Sequence, residues 1–274
     1  MAGIAVAAAS AAAEAQPPPP PAPAPSVEAL QGVNFVSACG FSHRATDDPI
    51  VYPKQPGASH DHSFVGNVST NAFSKPYSLR QAGTTCHRPL DTAAYWMPTL
   101  LVAGQPVAPR MAQVYYRRST LAPVTAFPQG FKVVAGSAVA AEPQARRVTF
   151  WNCGAEGGVP QSSTVPTCPD TRSLSLRLHV NFPDCWDGRR LDSPDHKSHT
   201  AYSTKSVCPS THPVAVPRIS LIYAYPVTGG PDVSLASGSQ FSAHGDFLNA
   251  WNQAELESLV AGCLNALRHC QRGS

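Results

Sequence analysis

Residues 174–182 read Leu-Ser-Leu-Arg-Leu-His-Val-Asn-Phe, and this stretch decides the fold class. Leu174, Leu176, Leu178, Val180 and Phe182 alternate with Ser175, Arg177, His179 and Asn181. That period of two puts the apolar side chains on one face of a half-buried strand. Ile219, Leu221, Tyr223 and Tyr225 repeat the pattern. Weaker strand candidates lie at 113–117, 131–135 and 148–153, each bounded by the Gly, Pro or Ser clusters usual in sandwiches and barrels. Proline supplies 28 of the 274 residues, against a usual ~5%. An interior proline costs a helix about 3 kcal/mol, which rules out a helical bundle or a coiled coil. The reading is a mainly β domain, an antiparallel sandwich or jelly-roll-like fold with long loops. One helix closes the chain: Leu256, Leu259, Val260, Cys263 and Leu267 fall on one face, with Asn252 and Glu255 placed as a start cap.

The organisation along the chain is simple. Residues 1–15 are small and apolar and end in Ala13-Glu14-Ala15, the form of a secretory signal with an A-x-A cleavage site. Residues 16–33 form a Pro-rich linker, in which Pro17 to Pro25 favours extended polyproline II. Residues 34–274 then form a single domain. Eight cysteines occur without a CxxC pair, which argues against a zinc ribbon and for four disulfides made in an oxidising compartment. Cys153–Cys168 and Cys263–Cys270 are short-range pairs among roughly a hundred possible connectivities. The protein is therefore expected to be secreted. A net charge of only +3 offers no footprint for nucleic acid, and no apolar run is long enough to suggest a transmembrane segment.

Histidine and aspartate concentrate in four segments: Ser59-His60-Asp61-His62, Asp195-His196-Lys197-Ser198-His199, Thr211-His212-Pro213 and His244-Gly245-Asp246. The densest run, 185–199, sets carboxylates, imidazoles and Trp186 among turn formers, the make-up of a functional loop on a rigid scaffold. One reading is acid/base cleavage of a glycosidic bond. Asp187 and Asp192 are its carboxylate candidates, His199 and His244 the proton-transfer or orienting groups, and Asp246 a further carboxylate. Tyr95, Trp96 and Trp186 offer flat faces for sugar rings, and His60, His62, Lys197 and His212 complete the substrate-binding candidates. No cofactor is required by this reading. A second reading is a divalent metal held by His60 and His62 on one strand face, with His196, His199 or the His244/Asp246 pair supplying further ligands. A third is structural, in which the same side chains satisfy loop backbone groups, as Asp187 before Gly188 and Asp195 after Pro194 are placed to do.

Several ordered motifs together resemble a known family. They are Asp48-Pro49-Ile50-Val51 before Ser59-His60-Asp61-His62; Thr84-Thr85-Cys86; Ala94-Tyr95-Trp96-Met97-Pro98; Phe127-Pro128-Gln129-Gly130; Phe182-Pro183-Asp184-Cys185-Trp186-Asp187-Gly188 running into Asp195-His196-Lys197-Ser198-His199; Cys208-Pro209-Ser210-Thr211-His212-Pro213; and His244-Gly245-Asp246-Phe247. The chain resembles the secreted domain of unknown function numbered nineteen-ninety-six, of fungi and actinobacteria, often paired with WSC carbohydrate-binding modules. The resemblance implies an extracellular protein whose partner is a polysaccharide or cell-wall glycan. It departs from the family at Ser237-Gly238-Ser239-Gln240, where a Gly-Asp turn is usual. The leading expectation is an extracellular polysaccharide-acting enzyme of the glycoside hydrolase kind. A non-catalytic glycan-binding or wall-associated domain and a metal-dependent hydrolase are the alternatives.

Overall fold

A computed structural model describes residues 1–3, 24–154, 159–170 and 175–270. Most of the signal-like segment, much of the Pro-rich linker and Leu174 lie outside them. Two antiparallel-built sheets dominate. The six-stranded sheet runs, in spatial order, His269–Cys270, Asn34–Cys39, Met111–Arg117, Arg218–Ala224, Arg177–Asn181 and Thr149–Asn152. The five-stranded sheet runs Phe41–Ala45, His62–Gly66, Ala94–Pro98, His244–Leu248 and Lys132–Gly136. Neither closes into a barrel, and all five strands expected from alternation are present within these sheets.

Side-chain alternation builds the core between the sheets. Phe35, Val114, Tyr116, Leu221, Tyr223, Leu178 and Val180 are wholly buried on one side of the larger sheet, and Tyr95 and Phe247 on the facing side of the smaller. The Tyr223 hydroxyl donates across the gap to the Ser63 carbonyl at 2.8 Å. Gly245 sits at a close approach of the two sheets, and a Cβ there would lie 3.2 Å from Val180 and 3.3 Å from Phe182. A polar knot is fully satisfied within this core. The Tyr95 hydroxyl donates to Asp91 at 3.0 Å and lies 2.6 Å from the Tyr116 hydroxyl, which also accepts from the Trp251 indole at 2.9 Å.

The opposite side of the five-stranded sheet is not left to solvent. Phe64, Trp96, Val134 and Leu248 form a second apolar cluster with Ile50, from a loop, and Leu79, from the short helix Pro76–Arg80, laid over that face. This third layer exists because His62, Phe64, Trp96, His244, Asp246 and Leu248 share the side of the sheet opposite the main core.

Four disulfides staple the loops: Cys39–Cys86, Cys153–Cys168, Cys185–Cys208 and Cys263–Cys270. Both short-range pairs named from the sequence are among them. No helix among the described residues is long and apolar enough to cross a membrane. The closing helix runs Gln253–Leu259, with the Asn252 side chain accepting from the Glu255 amide at 3.1 Å, and continues as a π-helical turn Val260–Asn265. Leu267 departs from the expected face. The chain has already left the helix, Leu267 takes a left-handed φ of 55°, and its side chain is exposed.

Candidate metal centre

The covered face of the five-stranded sheet brings His62 and the His244/Asp246 pair together. The strand His244–Leu248 pairs with Ala94–Pro98, which pairs with His62–Gly66. His244 and Asp246 share a face through the period of two, while Gly245 between them points into the close sheet-to-sheet contact. His60 precedes its strand, and the loop carrying it folds back over the same face. Expectation placed both His60 and His62 on a strand, but only His62 is; the convergence survives all the same.

The geometry of the imidazoles is the decisive observation. His60 Nε2 lies 3.2 Å from His244 Nε2, and His62 Nε2 lies 3.4 Å from the same atom. The Nδ1–H of His62 donates to the Asp47 carbonyl at 3.1 Å, and that of His244 to the Ser242 carbonyl at 2.9 Å. These carbonyls fix the tautomer, so in the neutral rings both Nε2 atoms carry lone pairs that face one another. Burial pushes His62 well below the ordinary imidazole range and His244 down to about 3, so both rings are held neutral. Facing lone pairs repel unless a cation lies between them.

The carboxylates add to this. Asp246 is wholly buried, its two oxygens have no hydrogen-bond partner, and one lies 4.0 Å from His244 Nε2. Burial, with the nearby Asp48 charge, lifts its pKa far above the carboxylate range. Asp48 is also buried and raised, first by desolvation, although the Ile50 and Val51 amides donate to it at 2.8 and 2.9 Å. The Trp96 indole N–H has no hydrogen-bond partner of its own but lies near enough to Asp48 to favour its charged form. Ligand atoms of His60, His62 and His244 fall within 4.8 Å of one another, as do those of Asp48, His62 and Asp246. Three imidazole nitrogens with a carboxylate oxygen is a donor set that suits zinc and similar divalent ions.

A cavity of about 580 Å³ opens onto this cluster, lined on the far side by Tyr52, Ser137, His196 and Lys197. His196 adopts φ 57°, and its Nδ1 lies 2.8 Å from Asp192 Oδ1. Lys197 Nζ donates to the Gly136 carbonyl at 2.6 Å. Asp192 thus serves by orienting His196, with Lys132 3.8 Å away on its other oxygen.

Other sequence candidates lie elsewhere or are fully engaged. Asp187 is a turn carboxylate, accepting from the Arg189 and Arg190 amides and the Arg190 side chain at 2.7–3.0 Å. These bonds outweigh its desolvation and hold it down at about 2. It lines a separate cavity with Ser210 and Pro213. His199 is buried with both nitrogens engaged, Nδ1 by the Ser193 hydroxyl at 2.8 Å and Nε2 by the Lys132 carbonyl at 2.7 Å, so it is not free to transfer a proton or to join His60 and His62 on a metal. His212 is likewise held by Thr211 and the Ser198 carbonyl. Tyr95 and Trp96 are wholly buried and present no face to a sugar. Trp186 is half-buried, edge-on to Phe131, with its indole donating to the Arg190 carbonyl. Asp48 is the residue that sequence reasoning passed over. It stands in the motif Asp48-Pro49-Ile50-Val51, to which the sequence reading gives no role in a site.

Fold and site together define a two-sheet β protein with a three-histidine, two-aspartate cluster, buried except for the half-buried His60, on the covered face of its smaller sheet. The profile described as Domain of unknown function (DUF1996) matches residues 48–251, a span that starts at Asp48 and takes in every member of the cluster. The chain belongs to that family. No curated protein and no solved structure matches it.

Proposed function

We propose that the protein is a divalent-metal-dependent hydrolase of extracellular polysaccharide or of acyl substituents on it. The observation that carries this reading is the convergence of the His60, His62 and His244 Nε2 atoms, with the lone pairs of His62 and His244 set by carbonyl-bound Nδ1–H groups. Asp246, buried without a hydrogen-bond partner, supplies the oxygen ligand, with Asp48 beside it. Zinc held by these residues would lower the pKa of its bound water to near 7 and polarise an oxygen of the substrate. His196, oriented by Asp192, stands at the cavity as the group that donates a proton to the departing oxygen or nitrogen. Lys197 supplies positive charge at the same wall. The cavity is large enough for a sugar-sized group, with Tyr52 and three serine hydroxyls, Ser59, Ser137 and Ser237, to receive one. Four disulfides support an extracellular setting.

The test is elemental analysis of purified protein, followed by incubation with a panel of wall polysaccharides before and after chelation. Stoichiometric metal, product release that stops on chelation and returns on readdition, and loss of both in His244→Ala are expected. A protein that neither retains nor rebinds metal refutes the reading. A second reading has its own support: burial lifts both Asp48 and Asp246, and the Asp48 charge lifts Asp246 further, as in carboxyl pairs that divide acid and base roles. Glycosidic cleavage that survives chelation but not Asp246→Asn favours that pair.

A further inference from the structure

The outer face of the six-stranded sheet carries a groove of about 430 Å³ unrelated to the histidine cluster; the two share no lining residue. Its walls include Arg117, Arg146, Arg147 and Arg218. Among the described residues, the one carboxylate in contact is Asp184, buried and committed to Arg218 at 2.6 Å and to Ser203 at 2.7 Å. Four arginines less one aspartate leave a local surplus of 4 − 1 = +3, as large as the net charge of the whole chain. Among the described residues, Arg117, Arg146 and Arg147 form no ion pair.

Strand register makes the placement costly. Arg117 and Arg218 are direct cross-strand partners, and like charges in that position destabilise a sheet. The Arg218 Nε is buried without a partner. The guanidiniums are nonetheless pre-oriented: Arg117 lies 4.3 Å over the Tyr115 ring and Arg147 5.4 Å over Tyr202. The floor is polar and ordered, with the Ser220 hydroxyl donating to Asn181 at 2.7 Å and His179 stacked on Phe150 at 4.1 Å. Guanidiniums held this way, with their repulsion only partly offset by Asp184 on Arg218, suit planar two-point recognition of oxyanions.

We propose that this groove is a binding site for an oligoanionic ligand, whose sulfate or phosphate oxygens bridge Arg117 and Arg218 and reach Arg147. The oxyanion is either free in solution or an ester on a saccharide, and the groove is large enough for one sugar unit with its ester group. The inference does not depend on the metal reading.

Isothermal titration at low ionic strength tests it with four probes: inorganic sulfate, pyrophosphate, a sulfated oligosaccharide and the same oligosaccharide without sulfate. Binding of the anionic probes, none of the unsulfated saccharide, and a steep loss of affinity with added salt are expected. Pyrophosphate binding as tightly as the sulfated saccharide assigns a free anion; preference for the saccharide assigns the ester. Arg117→Gln and Arg147→Gln should each weaken binding about tenfold or more, while His244→Ala leaves it unchanged. Arg117→Gln also removes a like-charge neighbour, so its ligand-free melting temperature should hold or rise. No binding of any anionic probe overturns the proposal. So do arginine variants that bind as wild type, or that only lower the melting temperature.

Discussion

Asp246→Asn separates a ligand from a structural carboxylate by the sign of its effect. The substitution keeps the shape and removes the charge at a wholly buried position whose oxygens have no hydrogen-bond partner. The raised pKa of Asp246 holds it protonated when metal-free, and taking up that proton at neutral pH costs several kcal/mol relative to the unfolded chain, whereas an unpaired amide costs roughly 1–3 kcal/mol. The metal-free variant should therefore be more stable than metal-free wild type, by about 1–3 kcal/mol. For domains of this size each kcal/mol moves the melting temperature by roughly 2–4 °C, so the rise is about 2–12 °C. With metal the order changes. Ligand at a thousandfold excess over its Kd stabilises by about 4 kcal/mol, or roughly 8–16 °C. A hundredfold loss of affinity in the variant removes about 2.7 kcal/mol of that. Differential scanning calorimetry with chelator and then with excess zinc reads both quantities on the same samples. The reasoning is refuted if wild type melts identically in the two conditions, or if Asp246→Asn lowers the metal-free melting temperature.

Three other outcomes follow from the same structure. Asp91 is buried in the polar core and its pKa is raised to about 7, first by desolvation. The folded state therefore binds a proton that the unfolded state has released between about pH 4 and 7. Stability should be fullest below about pH 4 with respect to this group and fall as pH rises to 7; Asp91→Asn should flatten that slope in melts taken across the window. Removing Cys185–Cys208, which closes a loop of 23 residues, should cost about 3 kcal/mol, read by denaturant titration of the Cys185→Ala/Cys208→Ala variant. Asp187→Ala should leave metal content and turnover unchanged while His196→Ala retains metal and loses turnover, since only His196 lines the metal-cluster cavity; the reverse pattern restores the loop carboxylate as the reacting group.

Legibility in the sequence followed periodicity. Strands with strict alternation, such as Arg218–Ala224, were readable because burial on one face imposes a period of two. The pairing of His244 with Asp246 was readable for the same reason. The helix was readable up to Asn265 but not beyond, because a π turn and a left-handed Leu267 break the spacing that marked it. The dense run 185–199 misled, because a loop needs its own polar groups to bind its backbone: Asp187 and Asp195 bond to the amides of the residues that follow them, and His199 bridges Ser193 to Lys132. Nothing in their spacing distinguishes a carboxylate used by the backbone from one left over. Asp48 shows the converse. Its two amide bonds make it look spent, yet tertiary packing places it beside Asp246.

The distinction that matters, then, is between polar groups the fold satisfies and those it leaves in conflict. Asp91, Tyr95, Tyr116 and Trp251 are as buried as the histidine cluster, but donors and acceptors match throughout, and such a network specifies a core without asking for a ligand. The histidine cluster has two imidazole lone pairs facing each other and a carboxylate with neither of its oxygens bonded. The outer groove sets two guanidiniums directly across a sheet from each other. Asp184 offsets only Arg218 there, so each arrangement lowers stability on its own, and each becomes favourable with a further group of opposite sign, a cation in the first and an anion in the second. Local conflict that a single ligand resolves is the pattern expected of a site, because folds depart from local consistency mainly where function requires it. Since the two conflicts have opposite charge and share no lining residue, metal loading should leave anion binding unchanged, and anion binding should leave metal affinity unchanged.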